Sequence, residues 1–189
     1  MNYMNLNNQL EVVINEDKKY SRKDLISNTL EELKKSNIEV LSLNYTNPMF
    51  SLNVKYNDNL IVFDMYLKNI TGAGWKDKLN IKRCQVSNMK ENNNDKTFID
   101  YEKHYNLILG YYNYDSNPIF VAWDPYRYVN HNTLRSCYVS VDILKRGYEK
   151  KYHEGVVSSQ KCWIFKGEMF GEFVKNYLDY ISFNYGEGK

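Results

Sequence analysis

The 189-residue sequence contains no apolar run approaching the roughly 20 residues a helix needs to cross a bilayer. Its opening stretch, MNYMNLNNQLEVVINEDKK, lacks the basic-then-apolar order of a secretory signal, so a cytoplasmic location without a membrane partner is expected. Cysteine is scarce. Cys84, Cys137 and Cys162 are far apart, odd in number and without C-x-x-C spacing, which argues against a disulfide framework and a structural zinc site and leaves each as a small core or strand residue. His104, His131 and His153 form neither H-x-x-x-H nor H-E-x-x-H, so no metal site is expected. G-x-S-x-G is missing and no cysteine has a local histidine partner, which removes the usual signs of a hydrolase nucleophile. Gly72-Ala73-Gly74 is followed by no further glycine or helix, and G-K-[ST] does not occur, so nucleotide binding by a P-loop or Rossmann mechanism is not expected. There is no internal repeat and no low-complexity linker. No cofactor is expected, and the chain reads as non-catalytic by itself.

What is present is a tyrosine-rich folded domain. The hydrophobic fraction is 43%, the aromatic fraction is 15% with 18 Tyr, and the mean hydropathy of −0.64 is that of a non-membrane chain. The length suits one sizeable core, so residues 1–189 are read as a single domain, with 1–20 as a loosely ordered N-terminal segment.

Ser21 followed by Asp24 marks a helix start, and Leu25, Ile26, Leu30 and Leu33 recur near a 3.6 period, with an end expected near residues 35–37. Residues 50–56 alternate strictly, Asn57-Asp58-Asn59 supplies turn chemistry, and 60–67 returns as the partner strand of a hairpin. Residues 81–86 have strand character. A short helix is expected through Ile99, Tyr101, Tyr105 and Leu107, then a hairpin of 107–112 and 119–123. Residues 136–141 alternate as a strand, and Asp142 is expected to cap a helix through Tyr152. A strand at 161–165 precedes a closing helix at 169–185, whose Phe170, Phe173, Val174, Tyr177, Leu178 and Ile181 are spaced to face a core. The fold class expected is α+β, mainly β: a pseudobarrel of antiparallel strands flanked by helices.

The net charge of +2 is modest, so distribution carries the argument. Between 68 and 85 the chain sets Lys68, Lys76, Lys78, Lys82 and Arg83 against Asp77, with Asn80 and Gln85 interleaved. A second positive stretch runs from Arg127 to Lys151. Two cationic, amide-bearing segments therefore leave strands, at 76–85 and 126–136. Lysines suit phosphate, Arg83, Arg127 and Arg135 suit bidentate contact with guanine or phosphate, and Asn80, Gln85, Asn130 and Asn132 can pair with the adenine edge. Thr133, Ser136 and Trp75 suit the nucleic-acid backbone. The plainer reading of any one of these is a solvated surface group on an edge strand. Two alternatives come from other classes. One is a small magnesium-dependent nuclease using Asp64, Asp100, Glu102 and Lys103; the other is a protein-interaction subunit whose tyrosine-rich surface meets a partner.

The order VFDMYLKNITGAGWKDKLNIKRCQV, NLILGYYN, PIFVAWDPYRYV and SCYVSVDILKRGYEKKYHEGV resembles a methylase-associated domain of restriction-modification systems, related to the N-terminal DNA-recognition domain of LlaJI-type restriction endonucleases. The resemblance covers about residues 50–182. It implies a B-three-like pseudobarrel that places two arms in the major groove, the first holding 76–85 and the second 126–136. It also implies a bacterial phage-defence role with double-stranded DNA as the partner. Cleavage would then lie in a separate nuclease or GTPase subunit or domain, and this chain would be the N-terminal part of a larger restriction protein. Where relatives tend to carry arginine, this chain has Lys76, Lys78 and Lys82, which hold phosphate well and read guanine less specifically.

Overall fold

A computed structural model describes residues 1–46, 49–86, 99–100, 104–128 and 135–186. The chain opens with a hairpin of β1 (Tyr3–Leu6) and β2 (Val12–Asn15), followed by α1 (Arg22–Leu33). Ser21 caps α1 as the sequence suggests, its hydroxyl accepting from the Asp24 backbone N–H at 3.2 Å. Strands β3 (Glu39–Thr46), β4 (Met49–Tyr56) and β5 (Asn59–Asn69) come next as an antiparallel meander. The β4–β5 turn puts Asn57 and Asp58 at φ of 47° and 59°, the paired left-handed geometry of a two-residue hairpin in which Asn and Asp are tolerated.

After the meander lie β6 (Thr71–Gly72), β7 (Ile81–Val86), β8 (Ile99–Asp100), β9 (His104–Tyr114) and β10 (Asn117–Trp123). The helix expected through Ile99 and Tyr105 is instead two strands. Leu107, Leu109 and Tyr111 enter one core and Ile108 and Tyr112 the other, so β9 is buried on both faces. Residues 107–112 form the strand expected of them, paired with 119–123 of β10.

The chain then passes through a 3-10 turn (Pro125–Tyr128), β11 (Arg135–Ser140), α2 (Val141–Lys150), β12 (Tyr152–Val157), β13 (Gln160–Phe165) and α3 (Phe170–Tyr185). The cap of α2 is Ser140, whose hydroxyl accepts from the Ile143 N–H at 3.3 Å, and Asp142 lies within the first turn.

The class is α+β and mainly β, with helices flanking the strands. The main sheet runs β12-β13-β10-β9-β5-β4-β3, with β8 attached to β9, and a separate three-stranded sheet runs β11-β7-β6. One pairing departs from the antiparallel expectation: β5 and β9 are parallel, because the segment containing β6 and β7 carries the chain across before β9 returns.

Each face of the main sheet has its own core. On one face α1 and α3 bury Leu25, Leu33, Phe170, Phe173, Val174 and Tyr177 against Phe63, Leu109, Phe120 and Phe165. Phe165 and Phe173 stack with centroids 4.4 Å apart. On the other face α2 and the three-stranded sheet cover Tyr66, Ile108, Val121 and Trp123 with Cys84, Cys137, Val139, Leu144 and Tyr148. All three cysteines are buried and none is joined in a disulfide. Among the described residues no helix is long and apolar enough to cross a membrane.

Candidate nucleic-acid interface

Strands β7 and β11 are the strand portions of the two cationic segments, and they pair with each other. The register is Val86 with Arg135, Gln85 with Ser136, Cys84 with Cys137, Arg83 with Tyr138, Lys82 with Val139 and Ile81 with Ser140. Facing residues in an antiparallel pair leave the sheet on the same side, and successive residues alternate. Arg83, Gln85, Ser136 and Tyr138 therefore point outward and are half-buried, while Lys82, Cys84, Cys137 and Val139 point inward and are buried.

The hydrogen bonds of β11 refine this picture. Its edge away from β7 would be open, but Gln160 at the start of β13 closes it: Gln160 Oε1 accepts from the Tyr138 N–H at 3.1 Å and Gln160 Nε2 donates to the Ser136 carbonyl at 3.4 Å. The Trp123 indole N–H adds a bond to the Tyr138 carbonyl at 3.2 Å. Tyr138 thus directs both its backbone groups away from β7. In an antiparallel ladder that makes Tyr138–Arg83 a non-hydrogen-bonded pair, the kind in which facing side chains come closest.

The loop entering β7 is fastened at both ends. The Ala73 N–H donates to the Ile81 carbonyl at 3.0 Å and the Ile81 N–H to the Lys78 carbonyl at 3.1 Å. The Asn80 carbonyl accepts from the Val141 N–H at 2.9 Å, and the Leu79 carbonyl from the Met4 N–H at 3.1 Å. Gly74, at φ 86°, turns the chain outward in a conformation that disfavours a side chain. Trp75, Lys76, Asp77 and Lys78 come after it, all exposed. The Trp75 ring stacks on Tyr138 with centroids 5.0 Å apart and planes 30° from parallel, and the Lys78 ammonium lies 5.4 Å from the Trp75 ring. This outward face carries Arg83, Gln85, Ser136 and Tyr138 and is joined through the Trp75–Tyr138 stack to Trp75 and Lys78; Lys76 is exposed in the same loop and Asn80 is half-buried at its end.

Lys82 requires a correction. Expected at phosphate, it is fully buried and points to the opposite side. Its ammonium donates to Asn5 Oδ1 at 2.8 Å and to Asp17 Oδ1 at 2.5 Å, and it lies 5.3 Å from the Tyr3 ring. Asp17 also accepts from the Gly72 N–H at 2.6 Å, and the Tyr112 hydroxyl donates to Asn5 Oδ1 at 3.0 Å. The Tyr3 ring covers Gly72 so closely that a Cβ there would meet it at 2.1 Å. Burial lowers the Lys82 pKa, against the opposing pull of Asp17. The group docks the N-terminal hairpin onto the back of the three-stranded sheet.

Arg135 faces Val86 and so leaves the sheet on the inward side, half-buried, opposite in direction to Arg83. Arg127 is about half exposed and donates from Nη1 to the Ser159 carbonyl, with Nε 3.9 Å from the Asp124 carboxylate. Asp124 is itself 1% exposed and accepts from the Tyr180 and Tyr185 hydroxyls at 2.9 and 2.7 Å, while Tyr126 stacks on Tyr185 at 4.2 Å. The root of the second segment is therefore clamped to α3. Asn130, Asn132 and Thr133 lie outside the described residues.

Of the residues considered for metal chemistry, Asp64 accepts from the Ser51 hydroxyl at 2.7 Å, and Asp100 lies in β8, paired with His104 of β9. Glu102 and Lys103 are outside the described residues. Among the described residues no three His, Cys, Asp or Glu side chains are grouped to hold a metal ion.

Sequence reasoning missed the Trp75–Tyr138 stack, the Gln160 closure and the Asp124 clamp. Each joins residues distant in the chain, and periodicity carries no signal for such meetings. An indole within a lysine-rich loop was the one available cue.

A family model described as methylase-associated X1 matches residues 46–174, well over half of the chain, which ties it to restriction-modification systems. That span includes β7, β11 and the whole outward face described above. No curated protein and no solved structure matches at a significant level.

Proposed function

The chain belongs to the methylase-associated X1 family, and from that premise we propose that it is a target-recognition domain that binds double-stranded DNA for a cytoplasmic restriction-modification system. The observation that carries this reading is the pairing of β7 with β11, which gathers the two cationic segments into one small sheet with Arg83, Gln85, Ser136 and Tyr138 on its outward side. Arg83 supplies a planar pair of donors for the guanine edge and Gln85 a donor and an acceptor for adenine, two residues apart on one strand face. Lys76 and Lys78 at the exposed loop fix the protein on phosphate. Lys82 takes no part, and Arg135, which leaves β11 on the side opposite to Arg83, is not part of this face. The segment 126–136 is the second arm, rooted by the Asp124 clamp. The domain recognises rather than cuts, and cleavage resides in a separate domain or subunit.

The test is selection of bound duplexes from a randomised pool in EDTA. Enrichment of one short motif is expected, with affinity falling as salt rises because phosphate contacts release counterions. A pool returned unenriched, with no binding at low salt, would overturn the reading.

A further inference from the structure

Resting on that reading, we propose that Trp75, backed by Tyr138, is a stacking platform for one nucleobase extruded from the bound duplex, and that Lys78 moves from the indole to a flanking phosphate when the base arrives. Of the three tryptophans, Trp123 and Trp163 are fully buried, whereas Trp75 is 38% exposed. An exposed indole is ordinary as a single residue. This one is not isolated: Tyr138 supports one side of it, the Lys78 ammonium lies over its ring, and Arg83 faces Tyr138 across the strand pair.

The chemistry of the surroundings selects the occupant. A protein partner would be met by a patch depleted of charge at its centre. Here the aromatic pair adjoins Lys78 and Arg83, with Lys76 exposed in the same loop and the Gln85 amide two residues beyond Arg83 on the same strand face, and Asp77 is the single acid of the loop. A flat aromatic surface bordered by cations and hydrogen-bonding amides matches a base with its phosphates. The fixed backbone of β11, held by Gln160 and Trp123, keeps the Tyr138 ring in place, so the platform exists before DNA binds. The Lys78 cation covers the indole in the free protein, and a phosphate offers it a stronger partner than a ring face does.

The experiment takes the duplex enriched by selection and remakes it with a single mismatch or an abasic site at each position in turn. A protein that extrudes a base binds more tightly where pairing is already lost, since that cost is removed. Wild-type protein is expected to bind at least about tenfold more tightly when one particular position is mismatched. Trp75→Phe should keep that preference. Trp75→Ala should lose it and bind the intact duplex about tenfold or more weakly. The emission of wild-type protein should also fall on binding, through Trp75. Binding with no position at which a mismatch helps, or a Trp75→Ala variant that weakens all duplexes alike, would overturn extrusion and leave duplex recognition standing. Failure of the wild-type protein to bind any duplex would overturn both.

Discussion

Lys82 and Arg83 are neighbours in sequence and both cationic, yet they occupy opposite sides of one strand. Lys82 points inward, fully buried, against Asp17 and Asn5. Arg83 points outward, beside Tyr138 and near the lysine loop. Strand alternation alone makes the division. The energetic consequences differ in kind. On the inward side a charge is tolerated only because a carboxylate and an amide replace its water, and removing one partner strands the other. On the outward side water remains, and the charges are available for a ligand. A count of basic residues over 76–85 treats the two alike, so a charge run on a strand should be split by parity before it is read as an interface.

The contrast is broken most severely on the inward side. Asp17→Ala leaves the Lys82 ammonium buried against Asn5 alone and is expected to lower stability by about 3–5 kcal/mol in urea denaturation. Replacing both, as Asp17→Ala with Lys82→Met, should recover most of that loss, since no charge is then left unpaired. A double variant no better than the single one would show that the pair is incidental to the docking of β1 and β2.

A smaller loss is expected at the junction of the two sides. Gln160→Ala removes the partners of the Tyr138 N–H and the Ser136 carbonyl, costing about 1–3 kcal/mol of stability. Because it frees the edge of β11, hydrogen exchange at the Tyr138 amide should accelerate while that at the Val121 amide, in the centre of the main sheet, does not.

Outward changes should leave folding almost untouched. Arg83→Ala is expected to shift stability by no more than about 0.5 kcal/mol. In binding it should cost about 1–3 kcal/mol and relax specificity at one base pair. Lys76→Ala is the mildest: a modest, sequence-independent weakening, with the salt slope reduced by about 1. If Arg83→Ala instead unfolds the domain, the outward assignment of that side chain is wrong.

Much of the fold was legible because it rests on local rules. The hairpin of β4 and β5 reflects alternation and Asn57-Asp58, the first helix its Ser21 cap, and the closing helix the spacing of Phe170, Phe173 and Tyr177. The start of β9 and the short β8 were misread as one helix, whereas 107–112 and its hairpin with 119–123 are the strands that the sequence suggests. The α2 cap fell to Ser140, two positions before the Asp142 expected to supply it. The site was legible in part. Alternation in 81–86 hinted at which side chains face out, but Asp17 is 65 residues from Lys82, and nothing local announces that pair. Nor does anything near Arg135 reveal that Val86 will lie opposite it and turn it inward.

The most direct test is a fluorescence-anisotropy comparison of Arg83→Ala with wild-type protein on the selected duplex and on a scrambled one. The variant is expected to lose about fivefold or more on the selected duplex, and much less on the scrambled one, while its stability shifts by no more than about 0.5 kcal/mol. Equal affinities for wild-type and variant on both duplexes would contradict the claim that the outward face of β7 and β11 reads DNA.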